Sequence, residues 1–100
     1  MRKAEQGDIL KVVSMPYPFV VVSKNFFNDS GMVMACPIIP NAVPGPLRIR
    51  CNSASCSGYI YGEQVRLVDL NARRFSKVSS VPYGDLIDVV DAIQGIFDYV

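Results

Sequence analysis

Gly84-Asp85-Leu86-Ile87-Asp88-Val89-Val90-Asp91-Ala92-Ile93-Gln94-Gly95-Ile96-Phe97-Asp98-Tyr99-Val100 closes the chain, and its hydrophobic period differs from that of the runs before it. Leu86, Val89, Val90, Ile93, Ile96, Phe97 and Val100 recur at three- and four-residue spacing, with Asp85, Asp88, Asp91 and Asp98 opposite. This spacing predicts an amphipathic helix from about Gly84 to the end, its apolar stripe packed on a sheet. Gly95 falls on the polar side and weakens the helix slightly. The preceding residues read as strands. A run of strands followed by one helix defines an α+β, mainly β domain.

Working back from the helix, Arg73 to Val78 reads as a short last strand, and Tyr59 to Leu70 as one or two strands. Leu47 to Cys51 alternates cleanly: Leu47, Ile49 and Cys51 share one face, Arg48 and Arg50 the other. That pattern is a half-buried strand with a basic outer face. Asn52 to Gly58 is a polar loop, and Asn41 to Pro46, with two prolines and a glycine, is another. Met32 to Ile38 is apolar throughout and ends before Pro40. Asn25 to Gly31 is a turn or short helical excursion. Phe19 to Ser23 is β-branched enough to be buried on both faces. The Pro-stiffened link Ser14-Met15-Pro16-Tyr17-Pro18 pairs it with a first strand, Asp8 to Val13.

Composition narrows the chemistry. One hundred residues, half of them apolar and 19% charged, suit one folded domain over residues 1–100. The chain has no histidine, so the commonest general base is missing and acid–base work falls to carboxylates, tyrosines, lysines or arginines. The three cysteines, Cys36, Cys51 and Cys56, lack paired zinc-site spacings, and no metal or other cofactor is expected. Reduced thiols, no secretory signal after Met1 and no long apolar run together predict a cytoplasmic protein that does not enter a membrane. Residues 1–82 hold ten Lys and Arg against five acids, while residues 83–100 hold four Asp and no base. A basic body of this kind attracts anionic partners such as RNA.

Four pieces in order carry a family resemblance: Gly7-Asp8-Ile9; Val20-Val21-Val22-Ser23 with Phe27-Asn28; Gly31 to Ile38, ending Pro37-Ile38; and Glu63-Gln64-Val65-Arg66-Leu67-Val68-Asp69-Leu70-Asn71-Ala72-Arg73. Together they resemble the MazF/PemK (Kid) toxins over nearly the whole chain. The resemblance implies a small SH3-like, MazF/CcdB-type β-barrel with a C-terminal helix, usually a homodimer, which cuts single-stranded RNA without a metal and is neutralised by a cognate antitoxin. It points to Glu63 as general acid or base, with Arg66, Arg48 or Arg50 holding the phosphate. Gln64 would read a base edge, and Tyr61, taken with Tyr59 as exposed, would stack on unpaired bases; cross-strand packing of the two tyrosines is the alternative. Arg66 and Asp69 also read as a structural ion pair. Three positions depart from the family pattern: Tyr17 precedes Pro18 where the family has an arginine, Ile39 replaces a threonine, and Tyr61 stands where Kid-like members have an arginine. Two alternatives stand beside this reading. One is a CcdB-like gyrase-binding toxin, whose fold and length are similar and whose helix end Ile96-Phe97-Asp98-Tyr99-Val100 loosely resembles. The other is a catalytically silent barrel that only binds a partner protein, which the missing arginine and threonine favour. Ile87, off the main helical stripe, is a candidate for the dimer contact.

Overall fold

The structure, a computed structural model, describes residues 2–41, 43–51 and 57–97. Its strands are β1 (Asp8–Val12), β2 (Phe19–Val21), β3 (Met32–Ile39), β4 (Arg48–Cys51), β5 (Gly58–Tyr61), β6 (Arg66–Asp69) and β7 (Phe75–Ser80). A short helix α1 (Asn25–Asn28), a 3-10 turn (Gly62–Gln64) and the helix α2 (Tyr83–Ile96) complete it. The expected loop at Asn52 to Ser55, Cys56, and the last three residues of the expected helix lie outside the described residues.

All pairings are antiparallel, in the order β4-β5-β3-β2-β1-β7, with β6 joined to β3 off that path. The spine is β3. One of its edges takes β2; along the other, Ile38 and Ile39 pair with β5, and Met32 to Ala35 pair with β6. The 3-10 turn is therefore the elbow where the chain leaves one half of this edge for the other. The mainly β architecture with a C-terminal helix is as the sequence predicts, but the barrel is not closed. No pairing joins β4 to β7 among the described residues; α2 packs instead on β4 and the elbow.

Period-two alternation explains why the central strands are apolar throughout. Leu10, Val12, Phe19, Val21, Val33, Ala35, Val68 and Leu70 form a core on one side of the sheet. Ile9, Val20, Val22, Cys36, Ile38 and Ile60 form a second core on the other side, beneath Val89 of α2. Each residue step in β2 changes core, so this strand is buried on both faces as its β-branched run predicts.

The helix corrects the sequence reading at both ends. Asp85, assigned to the polar side, is buried, whereas Ile96 and Phe97, assigned to the apolar stripe, are 42% and 71% exposed. Only the stripe from Leu86 to Ile93 packs on the second core. Ile87 is exposed, as expected for a residue off that stripe.

Several residues that carry the family resemblance are structural. Asn28 is fully buried; its amide donates to the Ser23 carbonyl at 3.0 Å, and its side-chain oxygen accepts from the Ser23 hydroxyl. That hydroxyl in turn accepts the Met34 N–H, tying α1 to β3. Asp8 accepts the Glu5 N–H at 2.9 Å and pairs with Lys77 at 3.2 Å. Gly58 has φ +132°, and a Cβ there would lie 2.4 Å from the Ile39 carbonyl oxygen, so only glycine permits β5 to start against β3.

Candidate functional site

The elbow after β5 places Glu63 beside β4. Its position is set by Gly62, whose N–H donates to the Leu47 carbonyl at 2.9 Å and whose missing Cβ lets the two backbones meet. Arg48 begins β4 directly opposite Tyr61 of β5. Three residues scattered over sixteen positions of sequence thus converge. The Arg48 guanidinium stacks 4.0 Å from the centre of the Tyr61 ring. Its Nε and Nη2 both lie 2.9 Å from Glu63 Oε2, and its Nη1 donates to the Val43 carbonyl, also at 2.9 Å.

This arrangement leaves defined chemical capacity. A guanidinium has five N–H donors; three are engaged among the described residues, which leaves two for an anion. Both contacts to Glu63 fall on Oε2, and Oε1 has no protein partner among the described residues. Hydrogen bonding to Glu63 raises the Arg48 pKa above its ordinary value, reinforced by the Glu63 and Tyr61 charges and opposed by desolvation. The two side chains line a cleft of about 300 Å³ with Pro44, Gly45, Pro46 and Leu47. Behind the elbow lies Cys36, whose thiol is pushed up to about 12 by burial, with the Glu63 charge adding to the effect.

The remaining expected site residues are dispersed. Arg50 is exposed on the same face of β4 as Arg48, opposite Tyr59. Gln64 is exposed at the end of the elbow, next to Glu63. Arg66 lies beyond the elbow on β6, opposite Ala35, with its guanidinium 5.9 Å from the Phe19 ring. Its expected ion pair with Asp69 does not form: three residues along a strand put the two side chains on opposite faces, and the Asp69 carboxylate accepts the Asn71 N–H instead.

Tyr61 needs a second correction. It is 8% exposed, with Arg48 over its ring, so it is a floor for the arginine and not an open stacking platform. Alternation of Tyr59 and Tyr61 around Ile60 leaves base stacking and cross-strand packing both open; the cross-strand partner that covers Tyr61 lies thirteen residues away. The reading also missed the Val43 carbonyl as an anchor and Gly62 as the spacer. The Tyr61-Gly62-Glu63 run was the available signal for Gly62; a backbone carbonyl leaves none.

A family model described as PemK-like, MazF-like toxin of type II toxin–antitoxin system matches residues 6–97. Among solved structures, the fold superimposes on a MazE–MazF complex (Form-II) from Deinococcus radiodurans with a TM-score of 0.86 at 20% identity, covering 97% of each chain. A second form of that complex (Form-I) gives 0.85 at 21% identity over 93% of this chain and 94% of the other. An endoribonuclease in complex with its cognate antitoxin, from Mycobacterial species, gives 0.82 at 13% identity over 97% of this chain and 99% of the other. No curated protein matches the sequence. These likenesses support neither the gyrase-binding nor the silent-barrel alternative.

Proposed function

The chain belongs to the PemK-like, MazF-like toxin family of type II toxin–antitoxin systems, and on that premise we propose that it is an endoribonuclease that cuts single-stranded RNA at the Arg48–Glu63 cleft. The observation that carries this reading is the fork of Arg48 onto one oxygen of Glu63 at a cleft both side chains line, which leaves the other oxygen and two N–H donors without a protein partner among the described residues.

In this reading Oε1 of Glu63 takes the proton from a ribose 2′-hydroxyl as that oxygen attacks the adjacent phosphorus. The bond from phosphorus to the 5′-oxygen breaks, and the departing oxygen takes a proton back from the Glu63 carboxyl. The products are a 2′,3′-cyclic phosphate and a free 5′-hydroxyl. Negative charge grows on the non-bridging oxygens meanwhile, and the two spare N–H groups of Arg48 meet it. Tyr61 and the Val43 carbonyl hold the guanidinium in place, so little reorganisation accompanies the reaction. Arg50 and Gln64 flank the cleft as contacts to a neighbouring phosphate and a base edge, and Arg66 contributes charge further along the strand. The scheme uses no metal, because Glu63 is the one carboxylate lining the cleft among the described residues and the chain has no histidine.

Two further elements belong to the same reading. A cognate antitoxin covering this cleft would silence the toxin, and the likeness to toxins solved with antitoxins supports it. A homodimer would bury the exposed Ile87.

Incubation of the purified protein with mixed-sequence single-stranded RNA in excess chelator tests the reaction. Cleavage with 2′,3′-cyclic phosphate ends is expected. RNA left uncut over hours defeats the nuclease reading and leaves family and fold standing.

A further inference from the structure

Away from the Arg48–Glu63 cleft, at the opposite end of the strand path, β1 and β7 enclose a second concave surface. Two adjoining cavities of about 380 and 400 Å³ share Val13, Ser14 and Arg74 in their walls. Arg73 lines one and Lys11 the other. The concavity is built by the backbone: the Val13 N–H donates to the Arg74 carbonyl at 2.9 Å, and Ser14 turns the chain away with φ +78°. Arg73, Arg74 and Lys11 are all exposed, and none has an ion-pair, hydrogen-bond or ring partner on its side chain among the described residues. Arg2 is committed to Asp29 and Glu5, Arg48 to Glu63 and Lys77 to Asp8, and Arg66 lies at the Phe19 ring. The remaining exposed cations Lys3, Lys24 and Arg50 line neither of these cavities. The nearest acid in the turn, Asp69, accepts the Asn71 N–H.

We propose that this surface is a second anion-binding site, which holds the phosphodiester backbone of a single-stranded RNA whose scissile segment lies in the Arg48–Glu63 cleft. The proposal rests on the nuclease reading for the identity of its ligand. Three cations without internal partners repel one another, and a polyanion relieves that repulsion while releasing counterions. Two of the three are arginines, whose planar fork matches a phosphate. Val13, 60% exposed between them, offers an apolar surface to a base or ribose, which an inorganic anion does not use.

The test measures binding, separately from cleavage, in a Glu63→Gln background so that the RNA stays intact. Labelled single strands of roughly 20 and roughly 5 nucleotides are titrated over a range of salt, the short one spanning no more than one cleft. The Lys11→Ala/Arg73→Ala/Arg74→Ala protein should bind the long strand about tenfold more weakly, with its salt slope reduced by about 2, as three fewer phosphates of a single strand are neutralised. Short-strand affinity should change less than about twofold, and circular dichroism should confirm the fold. Lys3→Ala/Lys24→Ala removes exposed charge elsewhere and serves as control. Equal losses in triple variant and control overturn the proposal, as does a triple variant that binds both strands like its parent. An acidic peptide that loses affinity in the triple variant while the long RNA does not would assign the surface to a protein partner and equally overturn it. Long-strand binding that depends on the three cations, in a protein whose Glu63-containing form never cuts RNA, would remove the nuclease reading and keep the site.

Discussion

Arg48 and the Arg73–Arg74 pair are the same residue type in opposite circumstances. Arg48 has a ring beneath it, a carboxylate beside it and a carbonyl behind it, and it lines a cleft of about 300 Å³. Arg73 and Arg74 border cavities of about 380 and 400 Å³ with no side-chain partner among the described residues. A cation held by the protein is preorganised and costs little reorganisation when charge appears in front of it, so it suits a transition state. A cation left to water changes its surroundings most when a polyanion arrives, so it suits affinity. The difference teaches that position, more than residue type, decides which arginine the proposed reading gives to chemistry and which to binding.

The sharpest division is expected at Glu63. Glu63→Gln keeps the shape and one oxygen acceptor but removes the proposed base, and cleavage should fall by a factor of roughly 10²–10⁴ with RNA affinity nearly unchanged. Single-turnover kinetics beside a binding titration read both quantities. Equal losses in the two would erase the contrast between held and free cations.

Arg48→Ala comes next. Loss of one preorganised donor set should lower kcat by about 10²–10³, and Arg48→Lys should not restore it, because an ammonium cannot fork onto Glu63 while meeting the Val43 carbonyl. A fully active lysine variant would show that only charge matters at this position. By contrast the Lys11/Arg73/Arg74 triple variant should leave kcat at saturating RNA within about twofold and act on affinity alone, by about tenfold.

Tyr61 gives a smaller effect that tests how Arg48 is held. Stacking of this kind contributes about 0.5–2 kcal/mol, so Tyr61→Leu should cost several-fold in kcat, and Tyr61→Phe, which keeps the ring, should cost almost nothing. If phenylalanine fails as badly as leucine, the hydroxyl and not the ring face is what counts.

The smallest effect at neutral pH sits beneath the elbow. The Cys36 thiol is raised from an ordinary 9.0 to about 12, chiefly by burial. A folded-state thiol that keeps its proton longer than the unfolded one leaves stability unchanged below pH 9 and lowers it as pH rises from there towards 12. Chemical denaturation across that range should show the decline, and Cys36→Ala should flatten it. At neutral pH the thiol should resist alkylation until the protein unfolds.

Much of this was legible in the residues themselves. Strict alternation marked β4, β-branched density marked β2 as buried on both faces, and Glu63 followed from a stretch whose spacing resembles the family's. What the sequence determined by itself was local: strand or helix, the likeness to the family, and the absence of a histidine base. Those properties depend on backbone period and on residue chemistry, both of which read along the chain. Only the tertiary structure decided that Arg48, of the three arginines open to that role, is the one that meets Glu63. The same holds for the burial of Tyr61, the separation of Arg66 from Asp69, the exposure of Phe97 and the placing of Lys11, Arg73 and Arg74 around two adjoining cavities. Each depends on which residues face one another across strands, and that register is set by the elbow at Gly62, the glycine at 58 and the turn at Ser14. Shifting any strand by one residue would turn its side chains to the other face, so contacts across the sheet carry information that no single stretch of sequence holds.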